Sequence, residues 1–134
     1  MTVSQLRSGL ATRLATISGL RTSSYVPDEV NPPVAIVIPS TVTYDTTFAR
    51  GMDEYEFIVL LLVGRVSDRT AQATMDGYCN PSGSSSIKAA IEADKTLGGY
   101  AFDCRVTSMR NYQQTPVGDQ MYLSAEFVVQ VYAQ

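Results

Sequence analysis

The sequence predicts an α+β domain: a mainly antiparallel mixed sheet of about five strands with helices packed on one face. Three observations carry that prediction. Residues 53–66, DEYEFIVLLLVGRV, begin as an alternating strand, with Tyr55 and Phe57 on one face and Glu54 and Glu56 on the other. From Ile58 to Val63 both faces become apolar, so this strand is half exposed at its start and covered on both sides later, as a central strand is. Residues 120–132 alternate along their whole length: Met121, Leu123, Ala125, Phe127, Val129 and Val131 share one face. Near the N-terminus Leu6, Leu10, Leu14 and Ile17 recur at helical spacing.

The first helix is expected over Val3–Ser18, with Thr2 and Gln5 as a capping box, Gly19 as a left-handed stop, and Arg7 and Arg13 away from the apolar stripe. Leu20–Val26 reads as a short strand ended by Pro27. The segment 28–33, DEVNPP, is a turn, because two prolines remove ladder donors and hold the chain extended before them. Val34–Ile38 is a strand closed by Pro39, and the polar stretch 40–52 is a long connection of the kind that carries function. Ser67 or Asp68 caps a helix running to about Cys79, with Ala71, Met75 and Tyr78 inward. After the break at 80–85, Ser86 caps a short helix, Ile87–Asp94, that buries Ile87, Ala90 and Ile91, and Gly98-Gly99 ends the helical region. Tyr100–Tyr112 is the fourth strand, 112–119 a turn, and Gln120–Tyr132 the fifth strand, paired with the fourth as an antiparallel hairpin. Leu10, Leu14, Ile36, Ile58, Leu60, Leu62, Phe127 and Val129 are the expected core.

The 134 residues suit one domain, expected to span 1–134, large enough to form a core without metal or disulfide staples. The formal charge is −3 with acidic and basic residues interspersed; no Lys or Arg run offers a phosphate-binding patch. The longest apolar run, Phe57–Val63, is far short of a bilayer span, and the N-terminus lacks the pattern of a signal peptide, so a cytosolic origin and no membrane partner are expected. Cys79 and Cys104 match no zinc or CxxC spacing and are expected to be free thiols.

The chain contains no histidine, which removes the commonest general base and the commonest zinc ligand. No catalytic constellation, cofactor motif or metal-ligand spacing is visible. Asp53, Glu54 and Glu56 are the densest carboxylates, but successive strand residues face opposite ways, so they read as a solvated strand entrance. Gly98-Gly99 lacks the surroundings of a phosphate loop, and Cys79 has no histidine to activate it. The richer signal is eight tyrosines, a residue favoured at protein interfaces for its area and polar tip. Tyr44, Phe48, Arg50 and Met52 in the long loop, with Tyr112 beside the last turn, are the candidate interface residues.

The order of elements, together with several phrases, resembles the tail-terminator (minor tail) proteins of long-tailed bacteriophages, especially those infecting actinobacteria. The phrases are LRSGLATRLATISGLR at 6–21, YVPDEVNPPVAIVIPS at 25–40, YDTTFARGMDEYEFIVLLLVGRVSDRTAQ at 44–72, NPSGSSSIKAAIEADKTLGG at 80–99, and VTSMRNY with YLSAEFVVQVYA near the C-terminus. The resemblance covers nearly the whole chain, and none of the phrases is a catalytic motif. It implies a virion protein that forms a homo-oligomeric ring, usually a hexamer, on the end of the tail tube. Such a ring stops polymerisation of the major tail tube protein and offers a surface to the head–tail connector protein. DNA would pass through its lumen without specific binding, which the acidic balance suits. A head–tail connector or tail-completion protein of the neck is the alternative reading. A small carboxylate-dependent enzyme is a third, from a different class.

Overall fold

The computed structural model describes residues 3–17, 20–23, 33–45, 51–65, 69–117 and 120–133. In chain order the elements are α1 (Val3–Leu14), β1 (Arg21–Ser23), β2 (Val34–Thr43), β3 (Asp53–Arg65), α2 (Arg69–Cys79), α3 (Ile87–Glu92), β4 (Asp103–Val117) and β5 (Gln120–Ala133). The strands form one five-stranded sheet in the order β1-β2-β3-β5-β4, so β3 is the central strand. Among the described residues, only the β1–β2 pair is parallel; the other three pairs are antiparallel. This is the mixed, mostly antiparallel α+β architecture that the strand patterns predict.

The three helices share one face of the sheet, because each carries its apolar residues on one side. Leu6, Leu10 and Leu14 of α1, Met75 and Tyr78 of α2, and Ile87 and Ile91 of α3 join a single buried cluster. Beneath them lie Ala35 and Val37 of β2, Tyr55, Phe57, Val59 and Leu61 of β3, and the alternate residues of β5 from Ala125 to Ala133. The Tyr55 and Phe57 rings stack with centroids 6.4 Å apart. Cys104 and Val106 extend this layer onto β4.

The opposite face carries a smaller buried group, Val34, Ile36 and Leu62, flanked by half-buried Ile38, Leu60 and Tyr122. Leu60 is therefore not the core residue that the apolar run suggests. It faces away from the helices and stays half-buried, whereas its neighbour Leu61 is fully buried under them. Across β5 and β4 this face turns polar, and Arg110 pairs with Glu126 at 3.4 Å.

Several boundaries differ from expectation. Helix α1 ends at Leu14, and 3₁₀-type bonds (Thr16 N–H to Arg13 O, Ile17 N–H to Leu14 O) carry the chain on to buried Ile17. Pro39 does not close β2. It sits where β1 no longer covers the outer edge, and the strand absorbs it with a register shift between Pro39 and Thr41 before continuing to Thr43. Helix α3 stops at Glu92, and Leu97, Gly98 and Gly99 then take positive φ values in the turn that follows. That turn delays β4 to Asp103. Two register shifts, after Val106 and after Arg110, then carry β4 through the expected turn to Val117. The expected features at Thr2, Ser18, Gly19, 24–32, Ser67 and Asp68, and the side chain of Ala71, lie outside what the structure describes.

Two polar devices hold the helical layer in place. The Ser86 hydroxyl accepts the Ala89 N–H at 3.1 Å and donates to the Asn80 carbonyl at 2.6 Å, so one buried side chain caps α3 and ties it to the end of α2. The Arg13 guanidinium, expected to be free of the core, donates through Nε to the Ala90 carbonyl at 3.2 Å and links α1 to α3.

Candidate assembly surfaces

The register places Thr43, Glu54, Tyr132 and Asp103 in one row across β2, β3, β5 and β4. That row ends the β2–β3 and β4–β5 pairings, and among the described residues only Asp53 with Ala133 pairs beyond it. Tyr44 lies one residue beyond it on β2, and Phe102 one residue before it on β4. These are the two most exposed large apolar side chains among the described residues, 71% and 58%. β2 and β4 are three strand spacings apart, roughly 14 Å.

The backbone around Tyr44 is tied to the sheet at both neighbouring positions. Val42 packs against the main core, and Asp45 takes a left-handed φ of 58° while donating its N–H to Asp53 Oδ1 at 2.9 Å. An Asp tolerates that conformation better than most residues because its short polar side chain bonds locally. Asp53 thus ties the start of β3 to the chain leaving β2. Glu54 and Glu56 share the helix-free face, where they line a depression of about 140 Å³ with Thr41, Thr43 and Gln130. Ser40 Oγ donates to Glu56 Oε2 at 3.4 Å. No group of three acidic or cysteine side chains among the described residues is placed to hold a metal ion.

The candidates named from sequence fall into two places. Tyr44 and half-buried Met52 stand at the β2–β3 loop; Phe48 and Arg50, in the same loop, lie outside the described residues. Tyr112 is on the other side of the molecule, not beside a turn but within β4, in its second register shift. Its hydroxyl donates to Asp76 Oδ1 of α2 at 3.1 Å. Burial, then the Asp76 hydrogen bond and charge, raise the Tyr112 hydroxyl above its ordinary range.

Beside Tyr112, β4 and the helical layer frame a cleft of about 240 Å³. Phe127 and Val106 are its buried floor; Cys79, Met109, Asn80 and Lys88 surround it. The register shift at Val106 creates it, since the extra residue, Thr107, turns its hydroxyl to the Val128 carbonyl at 3.3 Å. Cys79 is free, and burial with the Asp76 charge pushes its thiol to about 11, so it is not a thiolate nucleophile at neutral pH. Buried Cys104, also free, is pushed to about 12, first by burial and then by Asp103 and neighbouring carboxylates.

A larger depression, about 350 Å³, opens between α1 and the turn after α3. Its polar groups bond within the chain. Thr12 Oγ1 donates to the Ser8 carbonyl at 2.9 Å, and Asp94 accepts from Thr96 Oγ1 at 2.7 Å and from Gly98 N–H at 3.1 Å. Those hydrogen bonds hold the Asp94 carboxyl below its ordinary range. The arrangement shapes a turn and presents no aligned acid, base or nucleophile.

Sequence reasoning missed Phe102 and Met109 as surface residues. Phe102 shares its parity with Cys104 and Val106, so alternation alone assigns it to the core; the positive-φ turn before β4 instead buries Ala101. Met109 returns to the helix side only because of the extra residue at Thr107. Among the described residues, no helix is long and apolar enough to cross a membrane. No protein-family model and no curated protein matches this chain.

Proposed function

We propose that this chain is a structural virion protein that caps the end of a long-tailed phage tail tube as a ring of its own copies, stops tube growth, and presents a surface for head joining. It acts through assembly rather than catalysis. The observation that carries this reading is the distribution of exposed apolar side chains. Tyr44 projects past the end of β2, next to the β1 edge of the sheet, while Met109 and Tyr112 lie on the other edge strand, β4, beside an open cleft. A cyclic ring needs two different, complementary surfaces on opposite sides of each subunit. Exposed apolar side chains grouped around a cleft mark contact surfaces more often than scattered ones do. The resemblance of the sequence to tail terminators supplies the partners: further copies, the tail tube protein and the head–tail connector, with DNA passing through the lumen. Six copies is the number that the resemblance implies.

The test is deletion of the gene in the phage that encodes it, with tails examined by electron microscopy. Tails of irregular length that fail to join heads are expected. Normal tails of uniform length would overturn the reading. A pull-down then assigns the place in the neck: retention of the tube protein supports a terminator, and retention only of the portal-side adaptor makes it a connector.

A further inference from the structure

This inference rests on the proposed ring and names one contact within it. We propose that Tyr44 of one copy inserts into the cleft on β4 of the next, its ring on Phe127 and Met109 and its hydroxyl at the polar rim.

Four observations join these two features. The first is position. Tyr44 follows the last residue of β2 and the cleft opens on β4, the opposite side of the four antiparallel strands. A subunit cannot fill its own cleft, so the contact lies between copies, and in a ring it runs head-to-tail. The second is direction. Because β2, β3, β5 and β4 alternate, β2 and β4 run antiparallel. β1 runs parallel to β2 and forms that edge, so copies arranged with one common orientation set the β1–β2 side against an antiparallel β4, a sense that repeats around a closed ring.

The third is size. About 240 Å³ is below the roughly 300–1,000 Å³ of sites that bury a small-molecule ligand, and suits one large side chain. The fourth is chemistry. The floor is apolar, Phe127 and Val106, while Asn80 and Lys88 stand at the rim, which matches an apolar ring with a polar tip. Lys88 also places a cation within reach of an aromatic face. The Asp45–Asp53 hydrogen bond already holds the backbone next to Tyr44 in the described conformation. Less ordering is then left for the moment of contact.

Cys79 in the cleft wall makes the contact directly testable. The full chain carrying Tyr44→Cys is oxidised with copper phenanthroline at alkaline pH over a concentration series, and in assembled tails, and resolved on a non-reducing gel. Each subunit then has one reactive thiol at either side, so head-to-tail contact gives a ladder of dimers, trimers and larger species. Adding Cys79→Ser must abolish it. A product that stops at dimer would mean mutual two-fold exchange and overturn the proposal. Native mass spectrometry of the same samples separates the two levels of inference. Oligomers without a ladder sink this contact and leave the ring reading standing; a parent chain with Tyr44 intact that forms no oligomer, free or in tails, counts against both. As an independent measure, Tyr44→Ala should weaken subunit association by about thirty-fold, the size of a hot-spot truncation, while Tyr44→Phe stays near the parent. Equal association of Tyr44→Ala and parent, with both folded, would overturn the contact.

Discussion

Gly9 of α1 lies directly against Leu97: a Cβ placed on Gly9 would come within 3.0 Å of Leu97 Cβ and 3.2 Å of the Leu97 carbonyl oxygen. The absence of a side chain at Gly9 lets the helix descend onto the turn after α3. That turn is not free to retreat. Leu97 holds a left-handed φ of 52°, its N–H donates to Asp94 O at 3.1 Å, and Gly98 N–H is held by the Asp94 carboxylate at the same distance.

Gly9→Ala is therefore expected to destabilise the domain, although alanine is the better helix former. The propensity gain is about 1 kcal/mol and overpacking against fixed backbone costs about 1–3 kcal/mol. A net loss of about 1 kcal/mol in urea unfolding is expected, and Gly9→Val should lose more. An increase in stability for Gly9→Ala would show that the turn yields and that this close approach is not a constraint.

The adjacent pair Leu60 and Leu61 tests which face the helices cover. Leu61 is fully buried in the main cluster, and Leu60 half-buried in the smaller one on the other side. Leu61→Ala should cost about 2–5 kcal/mol, as cavity-forming core truncations do. Leu60→Ala should cost less than half as much. Equal losses in denaturant melts would mean that both faces are equally packed in the free subunit.

The sheet was readable from the sequence where burial repeats with a simple period. Alternation in β5, the change from alternating to continuously apolar in β3, and the leucine spacing of α1 each reflect one dominant physical demand, so the central place of β3 and the β4–β5 hairpin followed, while the β3–β5 and parallel β1–β2 pairings did not. What escaped is local. The extra residues around Thr107 and Tyr112 reset the phase of β4, and a phase change in an edge strand leaves no mark in composition. Leu97, in a left-handed turn that glycine usually occupies, is invisible to propensity. Tyr44 was identifiable as an apolar anchor in a polar loop, but the cleft beside Tyr112 depends on side chains from α2, α3, β4 and β5 meeting in space.

A polar clasp closes part of the exposed β4 edge. Glu92 Oε2 accepts the Val106 N–H at 3.2 Å, Lys88 Nζ reaches the Val106 carbonyl at 3.4 Å, and Lys88 and Glu92 pair with each other. Burial alone would raise the Glu92 carboxyl, but the Lys88 and Val106 hydrogen bonds and the Lys88 charge outweigh it and hold it below the ordinary range. A depressed carboxylate contributes stability that is complete above the unfolded-state value, about 4.3, and is lost as pH falls through the lower folded-state value. Glu92→Gln should consequently narrow the stability gap from the parent as pH drops from about 6 toward 3. A gap that stays constant over that range would rule out ionisation of Glu92 as the source.

The two thiols supply the opposite, alkaline signature. Burial is the leading cause for both, raising Cys79 to about 11 and Cys104 to about 12. A raised thiol does not oppose folding below its unfolded value, about 8.5, and opposes it increasingly above that, because only the unfolded chain ionises freely. Stability should therefore decline as pH rises from about 8.5 to 11, and Cys104→Ala should flatten that decline even though truncating a buried side chain lowers the plateau. Reaction with a thiol reagent at neutral pH checks the ordering. Half-buried Cys79 should react slowly and fully buried Cys104 only on unfolding. Assembly sharpens the expectation: if Tyr44 of a neighbour fills the cleft, Cys79 should become still slower in assembled tails while Cys104 stays unchanged. Equal Cys79 rates in free and assembled protein would separate the cleft from the subunit contact.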